Sequence, residues 1–185
     1  MKVRIQHLLV SCLAIAVVPS AGLAQDEADH SATIENALSA APAALAEGAA
    51  VADWEGNVLR EGTNGYTCLP DPPDQDGNSP MCLDEAWLVW AAAWTNGEDP
   101  PAVESVHFAY MLQGDAPVSN VDPYATGPTE DNEWLGAEVV GAHLMLLAPA
   151  GALEGLSDDP NNGGPWVMWR GTSLAHIMVP TAKRK

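Results

Sequence analysis

The chain reads as an α+β domain: two helices packed on a mostly antiparallel sheet of about four to six short strands, with one disulfide. Three observations predict it. Leu83, Trp87, Trp90 and Trp94 fall at i, i+4, i+7 and i+11, which is one face of a helix. From residue 103 the pattern changes to short apolar runs at 103–112, 138–148, 166–170 and 173–179, broken by Gly, Pro and Asn. Finally, Cys68 and Cys82 stand alone as a pair downstream of an export-like leader, and such pairs oxidise outside the cytosol.

The elements follow in order. Lys2 and Arg4 precede an apolar run from Leu8 to Val18, and Gly22-Leu23-Ala24 supplies small residues. That reads as a Sec-type signal peptide over 1–24 with cleavage near Ala24/Gln25, so the protein is expected to be secreted or periplasmic. Leu9-Val10-Ser11-Cys12 looks like a lipobox, but apolar residues continue past it, which argues against a lipid anchor at Cys12. Residues 25–33 are polar and read as a flexible segment, 34–182 as a single domain, and 183–185 as a basic tail. Within the domain a helix is expected from about Ser31 to Ala46 with a break at Pro42. Val51 to Arg60, around Gly56-Asn57, reads as a hairpin, and Tyr66 to Leu69 as another short strand. Leu69 to Met81 is a Pro/Asp loop, Asp84 caps the tryptophan helix, and Asn96-Gly97 stops it. Two polar loops, 114–133 and 154–165, are long for a compact domain and are candidate functional edges.

Charge narrows the function classes. Seven Lys+Arg stand against 25 Asp+Glu in 185 residues, a formal charge of −18. No nucleic acid partner is expected, since phosphate backbones need cations. After residue 24 no apolar run reaches the length of a membrane span, so no insertion is expected once the signal is removed. The remaining partner classes are a small ligand or a metal ion.

The histidines carry the sharpest pattern. His107 has Met111 four residues on, His143 has Met145 two on, and His176 has Met178 two on. On a strand, residues at i, i+2 and i+4 share a face, so each imidazole points with its thioether. Three adjacent strands would bring His107, Met111, His143, Met145, His176 and Met178 to one patch. Thioethers are soft donors that select Cu(I), and imidazole accepts either copper state, so copper is the expected cofactor. The repeated His-x-Met resembles the element used by periplasmic copper chaperones, over those three-residue pieces alone.

Other candidates are weaker in pattern. Asp74, Asp76, Asn78 and Glu85 resemble part of an EF-hand calcium loop, but Ser79 replaces the turn glycine and Pro80 follows it. Arg60 and Arg170, the only arginines within 34–182, each sit beside a Gly-Thr turn and are anion-binding candidates. No H-E-x-x-H, G-x-S-x-G or phosphate-binding glycine motif occurs, and 34–182 lacks lysine. Ser173 with His176 and a remote Asp is a triad on paper only. The expected function is therefore an exported binding protein with a soft-metal site. The alternatives are a secreted enzyme using His143 or His176 as general base, or a structural, envelope-associated domain.

Overall fold

The computed structural model describes residues 21–182, and side chains from residue 30. The expected signal sequence as far as residue 20, Cys12 and the Lys183-Arg184-Lys185 tail lie outside the described residues. A helix, α1, runs Ala21–Leu38 and takes in residues 25–33, for which the sequence predicts a flexible segment. Pro42 then starts a second short helix, α2 (Ala43–Ala46), in place of continuing the first.

The expected architecture of two helices on four to six strands is not what forms. The molecule is mostly sheet. One sheet has eight strands in the order β2-β1-β3-β4-β5-β8-β10-β9, and a separate ribbon pairs β6 (Val118–Ser119) with β7 (Trp134–Leu135). The strands of the large sheet are β1 (Ala50–Ala52), β2 (Val58–Arg60), β3 (Thr67–Leu69), β4 (Met81–Leu83), β5 (His107–Met111), β8 (His143–Leu147), β9 (Trp166–Met168) and β10 (His176–Pro180). All pairings are antiparallel except β1 with β3. The helix count also differs, with α3 (Glu85–Asn96) and α4 (Ala137–Val140) joining the first two. The cause of the miscount is length. The unanticipated strands β4, β6 and β7 have two or three residues each, too few for a period of two to register, and β4 forms because β3 and β5 on either side satisfy its backbone. The run 138–148 divides at Gly141 (φ 56), a left-handed position that ends α4 before β8 begins.

The two faces of the sheet differ in what covers them. Asp84 caps α3 by accepting from the Trp87 amide at 3.0 Å, and Gly97 closes it in the left-handed conformation. The helix buries Trp87 and Trp90 against Leu83, Ala109, Met111, Met145, Leu147, Trp166, Met168 and Met178. On the opposite face Ala37 of α1, with Ala40 and Ala41 of the turn after it, packs on Val51 and the Cys68–Cys82 disulfide. The cysteines sit directly opposite each other on β3 and β4. Tryptophan N–H groups pin the loop 114–133 across the tryptophan face. Trp169 donates to the Ser119 carbonyl at 2.7 Å, Trp166 to Asn120 Oδ1 at 3.0 Å and Trp94 to the Pro123 carbonyl at 3.0 Å. That loop is ordered by indole donors that would otherwise be buried without partners.

Candidate functional site

β5, β8 and β10 are adjacent in the sheet, so the three His/Met strands lie side by side. The register makes the arrangement a grid. Met111 lies opposite His143, Ala109 opposite Met145, and Met145 opposite Met178. His176 lies opposite Met168 of β9, a donor not anticipated from sequence. Met81 occupies the same face of β4 and packs on the same cluster. Every methionine after Met1 therefore belongs to this one layer. Only strand order, a non-local property, could have revealed the added pair.

His143 is fully buried at the start of β8. Its Nδ1 lies 2.8 Å from the Gly141 carbonyl. A carbonyl only accepts, so Nδ1 carries a proton. The ring's Nε2 lies 3.9 Å from Asp115 Oδ2. Burial pushes the Asp115 carboxyl up to about 7, against the opposing hydrogen bond from the Ala116 amide. His176 repeats the pattern, with Nδ1 3.0 Å from the Leu174 carbonyl. Its ring stands edge-on to Trp87, Trp90 and Trp169 at centroid distances of 5.5, 5.4 and 5.1 Å. Burial in that box lowers its pKa to about 4, so the ring is neutral at pH 7, and its Nε2 has no hydrogen-bond partner among the described residues.

His107 has a different job. Its Nδ1 lies 3.1 Å from Asp84 Oδ2 and its Nε2 3.0 Å from Ser105 Oγ. Both ring nitrogens are used, and the contact braces the carboxylate that caps α3. The histidine thus closes a link between β5 and the helix N-terminus.

The remaining candidates are dispersed. Asp74 and Asp76 are exposed in the disulfide loop, Asn78 accepts from Asn36 Nδ2 at 2.9 Å, and Glu85 opens α3 beyond the extended strand β4. β4 prevents this segment from wrapping one centre, and no group of three His, Cys, Asp or Glu able to hold a metal occurs among the described residues. Arg60 donates to the Ala46 and Glu47 carbonyls behind α2. Arg170 donates to the Leu156 carbonyl at 2.6 Å and approaches Asp158 at 3.4 Å. The two arginines belong to opposite ends of the sheet, on β2 and just after β9, which rules out a joint clamp on one anion. Ser173 Oγ donates to Asp99 at 2.5 Å, so its hydroxyl is turned to a carboxylate rather than to His176.

Comparisons with protein-family models, curated proteins and solved structures find no match to this chain. No helix among the described residues is long and apolar enough to cross a membrane.

Proposed function

We propose that the protein is an exported binding protein that holds a soft metal ion, Cu(I), in the methionine layer, with His143, Met111, Met145 and Met178 as donors. The observation that carries this reading is the register: Met111 faces His143 across β5 and β8, and Met145 faces Met178 across β8 and β10. Thioethers and an imidazole form a soft set suited to a singly charged ion. The Gly141 carbonyl on Nδ1 fixes the orientation of the ring, which is the usual support for a metal-binding histidine. Asp115 stands beside Nε2 as a carboxylate able to offset the ion's charge. His107 is left out because both its nitrogens are engaged.

The test is an anaerobic titration of Cu(I) against a chromophoric chelator. Stoichiometric capture by the wild-type protein is expected, weakened at least tenfold in the double variant Met145→Leu/Met178→Leu. Leucine keeps core volume, so the variant still folds. Failure of the wild type to compete, or equal capture by the variant, overturns the reading.

A second reading rests on the Asp115–His143 pair, whose raised carboxyl and nearby imidazole suit acid–base chemistry. It predicts metal-independent turnover in an activity screen, lost in His143→Gln.

A further inference from the structure

An open groove of about 420 Å³ lies away from the methionine layer, between α1, the β1–β2 hairpin and the disulfide loop. Trp54, Pro70 and Pro73 form its apolar wall, and Asp53, Glu55 and Asp71 bring three carboxylates to it. The tryptophan is 39% exposed, one of few large apolar side chains left open to solvent. Its indole N–H donates to the Pro70 carbonyl at 3.0 Å, which fixes the ring across the groove.

The carboxylates are held as well. Asp53 accepts from the Asn57 amide at 2.7 Å and from its Nδ2 at 2.8 Å, and Asp71 accepts from the Ser79 amide at 2.6 Å. Asn36 of α1 accepts from the Asp71 amide at 2.7 Å and ties the loop to the helix. No ion pair compensates any of the three acids among the described residues. The nearest arginine by sequence, Arg60, is spent on carbonyls of the α2 turn.

An indole face, two prolines and three uncompensated carboxylates define the complementary ligand. It is cationic, and it has a flat apolar surface. A guanidinium meets both demands, because it stacks on tryptophan and pairs with carboxylates through fixed parallel donors. An ammonium offers the charge without the plane. We infer that this groove is the docking site for an arginine-bearing segment of a partner protein, with one guanidinium stacked on Trp54 and paired with Glu55 or Asp71.

The experiment is calorimetric titration of the full chain with an acetylated, amidated tetra-arginine peptide at about 0.15 M salt, where diffuse attraction is screened. Saturable one-to-one binding is expected. Glu55→Gln, which changes an exposed acid with no internal hydrogen bond, weakens it about threefold. Trp54→Leu weakens it about fivefold, the scale of a lost cation–π contact with its desolvation. Glu154→Gln, an acid at the far edge of the sheet, leaves it unchanged, and tetra-lysine binds more weakly than tetra-arginine. Equal losses in Glu55→Gln and Glu154→Gln would mean that the overall acidic field attracts the peptide, and would overturn the inference. So would tetra-lysine matching tetra-arginine, or the absence of saturable binding.

Discussion

The two faces of the large sheet are built from opposite materials. The face beneath α3 is filled with big side chains: Trp87, Trp166, Met168 and Met178 are all essentially inaccessible. The face beneath α1 is filled with Ala37, Ala40, Ala41, Ala49 and Val51, which bury little area per residue. A covalent link lies under the weaker layer, where Cys68 and Cys82 join its central strands. The difference teaches where this chain draws its cohesion: dispersion and area on one side, restriction of the unfolded chain on the other.

The comparison can be broken from either side. Trp87→Ala removes a fully buried ring of the first layer and is expected to cost about 3–5 kcal/mol in denaturant unfolding. Replacing Cys68 and Cys82 together by Ala costs about 3 kcal/mol if loop closure dominates. A loss below about 1 kcal/mol would show that the alanine layer stands without its link.

A subtler break uses pH. His176 has a folded pKa of about 4 against 6.5 unfolded. The unfolded state therefore takes up the proton first, and stability falls as pH drops below 6.5. The loss reaches about 2 kcal/mol by pH 5. Asp115 acts in the other direction. Its folded pKa near 7 lies above the ordinary 3.8, so its carboxyl destabilises the fold progressively as pH rises from 3.8 to 7 and fully above. Asp115→Asn is expected to raise the melting temperature at pH 8, to leave it nearly unchanged at pH 3.5, and to expose the full acid sensitivity of His176. A flat difference between the two proteins across pH would show that Asp115 is not raised.

The smallest expected effect is at the seam between helix and sheet. Asp84→Ala removes the α3 cap and the His107 contact together, at about 1 kcal/mol. His107→Ala is expected to produce less than half of that, because the cap survives. If the two losses were equal, the imidazole would be the part that matters.

Legibility from sequence followed the length and locality of each element. α3 was readable to within a residue at its cap, because Asp84, the tryptophan spacing and Gly97 are all local signals. The hairpin around Gly56-Asn57 formed as β1 and β2 for the same reason. β3 was likewise read as a short strand over Tyr66 to Leu69, whereas β4, three residues between a Pro/Asp loop and a helix cap, escaped a reading that depends on periodicity. Among the candidate residues, the shared face of each His/Met pair followed from the period of two. The neighbour relation of β5, β8 and β10, the arrival of Met168 and Met81, and the capture of His107 by a helix cap all depend on pairings between distant parts of the chain. Arg60 and Arg170 were similar in sequence context yet ended at opposite sheet edges, which only topology decides.

The rings of Trp90 and Trp169 lie parallel to within 3° at 5.8 Å, with Trp94 and Trp87 closing in at 5.6–6.0 Å and 4.9 Å. Indoles this close couple their electronic transitions. The fold therefore has its own optical gauge: a near-ultraviolet dichroism signal that exists only while α3, β9 and the turn after it stay in register, and that vanishes when side-chain packing loosens even if the helices and strands persist.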